Sequence, residues 1–424
     1  MCAKRKFSQW ILILMTVVMA SCDKNVFDEE KYIEIIEIAQ PVDSIDDNHT
    51  WNLTKTYNIT AEVGTEYAVA RRLMILSGNP IAGENATLLG DYPVNGSGAI
   101  NLSFVAPSMA SSFYAALVDE HGNCVITPIQ QDQQRVTFQP STVTSGEIDS
   151  KLVGLQSYSY CYEDEMPQPG DYDYNDVVLR ISMERTAQKQ ITLNVTLAAV
   201  GSKAQIAAAM AIVGYKYNDI ESVTTVDDET FDDGYRKSTL PFIDSNRLLI
   251  KGIDSTAVIN MFEDAHWATG VASYASEGYL ERYMYNVSKT TSDEYDMMSP
   301  RTISYVVNFK DATSLNNFTL DQIDPFIIIE YMGAFMEVHA NYKYRLQTIL
   351  YEYKQPISAT ILPWALIIPS SSFRYPLNGT NIGFAKNGAL FGAYMTEGHS
   401  FGEWAANHSS ATDWYNYPTG NLVY

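Results

Sequence analysis

Short segments in which apolar and polar residues alternate follow one another from Trp51 onward, and turn residues separate them. Alternation with a period of two buries one side of an extended strand and exposes the other. The strands predicted in the amino-terminal part are Trp51–Val63, Val69–Leu76, Ala99–Ala106, Phe113–Asp119 and Cys124–Pro128. Their spacing predicts an immunoglobulin-like β-sandwich over residues 51–145.

A second, larger unit is predicted over residues 150–424, after the polar linker Gln139–Gly146. Its predicted strands are Asp176–Met183, Gln190–Ala199, Ile303–Phe309, Phe326–Tyr331, Tyr344–Tyr353 and Ile361–Ile368. The Ala-rich segment Ser202–Ile212 lacks Gly and Pro, which favours a short helix. Residues from about 219 to 300 show no regular period and predict an irregular, partly helical insertion. The chain is therefore expected to be mainly β, with a sandwich followed by a larger β-sandwich-like domain.

The first residues have the layout of an export signal. A basic start is followed by an apolar stretch from Trp10 to Ala20, which is too short to cross about 30 Å of hydrocarbon. The segment from Met19 to Cys22 resembles the lipobox of bacterial lipoproteins, in which the signal is removed before an acylated cysteine. This resemblance implies a signal peptide at residues 1–21, a lipid on Cys22 and an acidic tether over residues 22–50. The alternative is an ordinary signal peptide.

The acidic run soon after Cys22 resembles signals that send some bacterial lipoproteins to the outer leaflet of the outer membrane. A solvated linker is the alternative interpretation. The expected location is thus the cell envelope, with lipid anchorage in the outer membrane and exposure to the exterior as one option.

The net charge of the chain is −22, with 28 Lys and Arg against 50 Asp and Glu. Such a surface repels phosphate backbones, which argues against nucleic acid as a partner. The expected partners are the membrane, through the lipid, and a glycan or another envelope protein.

Two groups of residues carry a resemblance to a known family. The first is Tyr162-Glu163-Asp164 followed by Gly170 to Val178, and the second runs from Pro363-Trp364 through Phe401-Gly402-Glu403-Trp404 to Asp413-Trp414-Tyr415. Together they resemble the opening and closing signatures of the LruC-type domain of exported bacterial proteins. The resemblance covers most of residues 155–424 and implies a β-rich envelope domain without an assigned activity.

Oxygen-bearing side chains alternate with aromatic ones just before the second unit's first long strand. Asp171, Asp173 and Asn175 would project to one side of an extended loop, and Asp176, Glu163 and Asp164 could complete a ligand set. Ca²⁺ takes six to eight oxygen ligands, so clustered carboxylates suit it. The spacing of Gly and Glu excludes an EF-hand. A turn whose Asp and Asn side chains accept backbone hydrogen bonds is the other interpretation.

Aromatic residues are concentrated near the carboxyl end. If Trp404, Trp414 and Tyr415 were exposed, they would form a platform on which sugar rings stack; if buried, they would form a core. Cys124 and Cys161 are the cysteines left after the signal and the lipid site. Both a disulfide between them and two free thiols are open.

No complete catalytic set is evident, and the chain is expected to be non-enzymatic. Gly398 to Gly402 matches G-x-S-x-G, but too few residues follow it to supply Asp and then His in the order of an α/β-hydrolase. The alternative function is a carbohydrate-active hydrolase that uses an unidentified carboxylate pair. The expected role is binding, adhesion or structure, with Ca²⁺ as a candidate bracing ion.

Overall fold

The structure is a computed structural model that describes residues 29–130, 132–231, 247–276, 278–289, 295–311, 315, 317–341, 348–350, 360–387 and 389–424. The helices of these residues are α1 (Glu29–Ala39), α2 (Ala265–Thr269) and α3 (Phe401–Ala406). Their strands are β1 (Thr54–Val63), β2 (Arg72–Leu76), β3 (Ala86–Pro93), β4 (Gly98–Pro107), β5 (Ser112–Val118), β6 (Asn123–Gln130), β7 (Arg135–Thr137), β8 (Thr144–Glu147), β9 (Val153–Leu155), β10 (Ser157–Tyr162), β11 (Val177–Ala187), β12 (Gln190–Ala199), β13 (Ala207–Lys216), β14 (Ile220–Thr225), β15 (Leu249–Lys251), β16 (Thr256–Phe262), β17 (Ala272–Tyr274), β18 (Leu280–Arg282), β19 (Arg301–Phe309), β20 (Ile323–Tyr331), β21 (Ala334–His339), β22 (Ala365–Ile368), β23 (Phe384–Lys386), β24 (Ala389–Phe391), β25 (Met395–Thr396) and β26 (His399–Ser400). The mainly β fold class predicted from the sequence is confirmed. The signal segment, Cys22 and most of the predicted strand Tyr344–Tyr353 lie outside the described residues.

The chain divides into two units between Ala39 and Gln40. The predicted tether is therefore not uniformly a linker, because α1 forms within it and His49 is buried in the second unit. The helix stops just before Pro41, because proline disfavours helical backbone at the residue that precedes it.

A sandwich forms the amino-terminal part of the second unit. Its three-stranded sheet has the order β4-β1-β7, and its six-stranded sheet has the order β8-β6-β5-β2-β3-β9. The alternating side chains of β1 and β4 pack against those of β2, β3 and β5, with Phe104 and Phe113 among the fully buried residues. β8 and β9, on either side of the predicted boundary near residues 145–150, both belong to this larger sheet.

Two further sheets follow. One has six strands in the order β14-β19-β12-β11-β10-β22, and the other has five in the order β15-β16-β13-β20-β21. The hydroxyl of Tyr162 on β10 donates to the carbonyl of Pro325 on β20 at 2.7 Å and so links the two sheets. The described parts of the predicted insertion contribute β14, β15 and β16 to these sheets as well as α2. They therefore belong partly to the sheet scaffold.

The predicted helix at Ser202–Ile212 is wrong, because β13 occupies Ala207–Lys216. β13 pairs with β16 on one side and β20 on the other, and its residues from Ala207 to Ile212 are all buried. Side chains as small as alanine fit a strand that is covered on both faces. The helix propensity of alanine, a few tenths of a kcal/mol per residue, is outweighed by this pairing.

The closing part of the chain packs on the six-stranded sheet. β22 pairs with β10, so that Leu366 lies opposite Cys161. A core of aromatic rings from the closing segment, including Trp404 and Trp414, packs with residues of β10, β11 and β12. This core lies beside the connection between β10 and β11.

Candidate functional site

The acidic residues predicted as ligands lie at the connection between β10 and β11. These strands are antiparallel, and Tyr162 at the end of β10 lies opposite Val177 at the start of β11. Residues 163–165 directly follow β10, and residues 171–176 directly precede β11. The pairing therefore brings together two acidic runs that are separated along the chain.

Glu163 is the centre of this acidic cluster and is only 1% exposed. Its carboxylate accepts hydrogen bonds from the backbone amides of Tyr172 at 3.1 Å and Tyr174 at 2.6 Å. Both tyrosines have positive φ values, 58° and 52°. The loop is therefore curled around the carboxylate and is not the extended loop that the alternation suggested.

Two groups of carboxylate oxygens surround Glu163. The first joins Glu163 with Asp171 and Asp173, and the second joins Glu163 with Glu165 and Asp176; within each group the oxygens lie within 4.8 Å of one another. Ligands of one Ca²⁺ ion at 2.3–2.6 Å are at most about 5 Å apart. Both groups therefore have spacing that a single cation could bridge.

The carboxyl groups of the cluster have raised pKa values. Burial, together with the charges of Asp176, Asp173 and Asp171, raises the pKa of Glu163 well above its usual range. Burial and Asp171 raise the pKa of Asp173 to about 8, and burial and Asp164 raise that of Glu165 to about 7. Negative charge is thus costly here unless a cation is bound.

Asp173 connects the cluster to the closing segment. Its Oδ2 accepts a hydrogen bond from the amide of Gly379 at 2.7 Å, and its Oδ1 accepts one from Asn175 at 3.1 Å. An ion bound at Asp173 would therefore also stabilise the closing segment.

The amide side chain of Asn175 is fully buried. Its nitrogen donates to the carbonyl of Pro376 at 3.1 Å, whereas its Oδ1 finds no hydrogen-bond donor among the described residues. A Cβ atom at Gly201 would lie 1.9 Å from this oxygen, so glycine is required there. The oxygen is one unsatisfied buried acceptor in the predicted ligand loop.

Asp164 lies beside the cluster but outside both groups of close oxygens. Its amide donates to Asp176 at 2.8 Å, and its carboxylate accepts a hydrogen bond from Ser202. Glu165 was not predicted as a ligand, although it directly follows Glu163 and Asp164 in the sequence. The continuation of that acidic run was the available signal.

The predicted aromatic platform is absent from this part of the fold. Trp404 and Trp414 are 0% exposed and Tyr415 is 5% exposed. The rings of Trp404 and Trp414 lie 5.7 Å apart within the closing core. They cannot stack on a sugar from solvent, and the alternative in which they form a core describes them correctly.

The disulfide considered between Cys124 and Cys161 does not form, and both thiols are free and buried. Cys124 belongs to a cluster of buried residues from β2, β3, β5 and β6, whereas Cys161 belongs to the core that contains the aromatic rings of the closing segment. The two residues belong to different sheets. Burial raises the pKa of the Cys124 thiol to about 12, so this thiol is not activated.

The G-x-S-x-G sequence forms a helix cap. Ser400 is the N-cap residue of α3, and its hydroxyl donates to Glu403 at 2.8 Å. His399 contacts Asp413 at 2.9 Å instead of Ser400. These contacts give Ser400 a local structural role.

Comparison with solved structures finds low similarity. A crystal structure of a candidate lipoprotein from Bacteroides ovatus is 12% identical, covers 84% of this chain and 99% of its own, and gives a TM-score of 0.44. A B domain of a biofilm associated protein is 9% identical, covers 87% and 89% of the two chains, and gives 0.16. An anti-sigma factor domain-containing protein is 9% identical, covers 67% and 82%, and gives 0.12. These values are too low to assign a shared fold.

No curated protein matches the chain. No helix among the described residues is long and apolar enough to cross a membrane. A family described as a domain of unknown function, DUF4842, matches residues 188–415, which include most strands of the last two large sheets and the aromatic closing core. The chain belongs to the DUF4842 family.

Proposed function

We propose that this chain is an exported bacterial lipoprotein, held to the cell envelope by a lipid on Cys22, with a non-catalytic binding or structural role. The lipobox-like segment ending at Cys22 and the preceding apolar stretch support the anchor. The resemblance to LruC-type domains and the acidic run after Cys22 support a place in the outer membrane. A glycan or another envelope protein is the proposed partner.

We further propose that Ca²⁺ braces the folded part at the acidic cluster. The observation that carries this proposal is the buried carboxylate of Glu163, with two groups of carboxylate oxygens around it. Both groups contain only hard oxygen donors, which suit Ca²⁺ better than Zn²⁺. Residues of the cluster would hold the ion between the end of β10, the loop before β11 and the closing segment.

The role assigned to the ion is structural because of where the carboxylates lie. Glu163 and Asp173 are each 1% exposed, so a substrate cannot reach them. An ion there would compensate charges that burial makes costly and would fix the connection between the strands.

The test is thermal unfolding of the mature chain with Ca²⁺, with Mg²⁺ and with a chelator. At a Ca²⁺ concentration a hundred times the Kd, the expected stabilisation is about 2.7 kcal/mol, and the chelator should remove it. Glu163→Gln should reduce the stabilisation by Ca²⁺. Glu165→Gln should reduce it too, and should disturb the fold less because this carboxylate is more exposed.

Glu337→Gln is the matched control, because Glu337 is also buried and also accepts hydrogen bonds from backbone amides, including Ile349 and Leu350. It should lower the melting temperature but leave the increment from Ca²⁺ unchanged. An equal melting temperature with Ca²⁺ and with chelator would overturn the calcium proposal.

A carbohydrate-active hydrolase is the second candidate. The raised pKa values of neighbouring carboxyl groups favour it, because a glycosidase needs one protonated and one ionised carboxyl. Glu165 is exposed, and its pKa of about 7 suits a general acid. Turnover of a chromogenic glycoside that Glu165→Gln abolishes would favour this candidate over the structural role.

A further inference from the structure

An exposed apolar hairpin lies in the closing segment. β23 and β24 form a two-stranded sheet in which Phe384 lies opposite Phe391. The side chains of Leu390 and Phe391 are 70% and 55% exposed, and the ring of Phe391 stacks on that of Phe384 with centroids 4.4 Å apart. Leu390 and Phe391 are consecutive strand residues and point to opposite faces of the hairpin, so that each face carries one large apolar side chain in solvent.

The chain that comes from Cys22 joins the second unit at this hairpin. The amide of Ala385 donates to the carbonyl of Pro41 at 2.9 Å, and the amide of Asp43 donates to the carbonyl of Ala385 at 3.0 Å. Val42 and Ala385 form a parallel bridge. Residues 41–43, within the predicted tether, are thus fastened directly to β23.

The part of the tether that precedes the second unit, residues 22–39, is short. Cys22 lies 18 positions before Gln40 in the sequence, and 11 of the intervening residues form α1. An extended segment followed by a helix of this length reaches at most about 40 Å. A lipid on Cys22 would therefore limit the distance between the lipid and the start of the second unit, beside the hairpin, to about 40 Å.

We propose that the β23–β24 hairpin docks edge-on on the lipid bilayer through β24, so that Leu390 on one face and Phe391 on the other both enter the boundary between headgroups and acyl chains. This inference rests on the lipid anchor of the proposed function, because the anchor supplies the nearby surface. Docking beside residues 41–43 would set the orientation of the second unit relative to the membrane.

The size of the patch favours lipid over protein as the occupant. The exposed parts of these two side chains amount to roughly 200 Å², whereas a stable protein interface buries about 800 Å² on each partner. A small apolar contact is sufficient as a second membrane signal beside a lipid anchor. The negative charge of the chain favours a zwitterionic bilayer, since an anionic one would repel it.

The test is flotation of the mature chain carrying Cys22→Ser with vesicles of phosphatidylcholine and phosphatidylethanolamine. This chain has no lipid, so any binding comes from its surface. The double variant Leu390→Ser, Phe391→Ser should bind about tenfold more weakly, in line with the loss of two partly buried apolar groups. Val69→Ser, Met332→Ser removes two other exposed apolar side chains, 65% and 76% exposed, and should bind unchanged.

Equal flotation of all three chains, or none above the level without vesicles, would overturn the inference. Sedimentation supplies a further check: a dimer that the hairpin variant dissociates would assign the patch to a second copy and would also overturn it. The lipid anchor is tested separately, by fatty-acid labelling of the wild-type chain and of Cys22→Ser. If the wild-type chain takes up no fatty acid but the Cys22→Ser chain still floats with vesicles, the proposed lipid anchor is wrong and the affinity of the hairpin for lipid stands.

Discussion

Glu337 and His339 lie side by side on β21, where both side chains are buried. The imidazole of His339 contacts Asp324 through Nδ1 and Glu337 through Nε2, each at 2.8 Å. Glu337 also accepts hydrogen bonds from the amides of Ile349 and Leu350, at 2.6 and 2.9 Å. This buried network fastens residues 348–350 to the sheet.

The network predicts a dependence of stability on pH. Burial alone would lower the pKa of His339, but Asp324 and Glu337 outweigh it and raise the pKa to about 9 from 6.5. Stability from protonated His339 is therefore fully present below pH 6.5 and is lost as the pH rises through 9. The contribution is up to about 3 kcal/mol, measurable as urea unfolding of wild type and His339→Gln between pH 6 and 10.

The difference between the two proteins isolates His339, because other titrating groups contribute to both. It should be largest near pH 6 and should narrow toward pH 10. His121→Gln, at a histidine whose side chain is 75% exposed, serves as the control and should follow wild type throughout. A difference that stays constant with pH would contradict the assignment of a charged His339.

At the scale of single elements, α3 depends on its cap. The hydroxyl of Ser400 accepts a hydrogen bond from the amide of Glu403 at 3.2 Å, and the carboxylate of Glu403 accepts one from the amide of Ser400 at 3.0 Å. Such a capping box satisfies amides that the first turn leaves unpaired. It also positions a helix that carries Trp404.

Ser400→Ala should therefore lower the free energy of unfolding by about 1 kcal/mol, as loss of an N-cap usually does. Urea or thermal unfolding measures this change. Ser409→Ala, at an exposed position shortly after the helix, should have no measurable effect. Equal stability of the Ser400 and Ser409 variants would show that the cap contributes nothing.

The same scale shows what the sequence could and could not predict. Strands with clear alternation, such as β1 and β12, were predicted within a few residues. β3 was missed because its buried positions recur every third residue instead of every second. The Ala-rich sequence of β13 favours a helix, because an alanine pattern does not reveal a neighbouring strand on each side. Pairing between distant segments decided these elements, and local propensity did not.

At the scale of the whole molecule, the closing segment supplies the core that covers the six-stranded sheet. Trp414 lies within 6.0 Å, between ring centroids, of Phe373, Tyr394, Phe401 and Trp404. The same core includes Val178 and Ala198 from β11 and β12. Loss of one large ring would therefore affect both the closing segment and the sheet.

Trp414→Ala is expected to lower the free energy of unfolding by about 3–5 kcal/mol, because it removes a fully buried ring and leaves a cavity. Denaturant unfolding followed by far-UV circular dichroism measures the change. Tyr279→Ala removes a ring that is 57% exposed and should change stability by less than about 0.5 kcal/mol. Wild-type stability of the Trp414 variant would indicate an exposed ring and revive the stacking platform.

The candidate site was only partly predictable, because it also depends on pairing between segments that are distant in the sequence. Asp171, Asp173 and Asp176 form one acidic run in the sequence, and Glu163 is a predicted addition to this ligand set. Their convergence depends on the register of β10 and β11, which spacing alone does not give. The burial of Trp404 and Trp414 likewise depends on how the closing segment packs.

β10 has a neighbour on each side, β11 and β22, and the residues of β22 follow those of β10 by about 200 positions. Synthesis delivers the early strand long before this late one. For a chain proposed to be exported, this delay affects when the six-stranded sheet can be completed. Without β22 the sheet lacks one neighbour of β10, so that folding can be completed after the late segments have arrived.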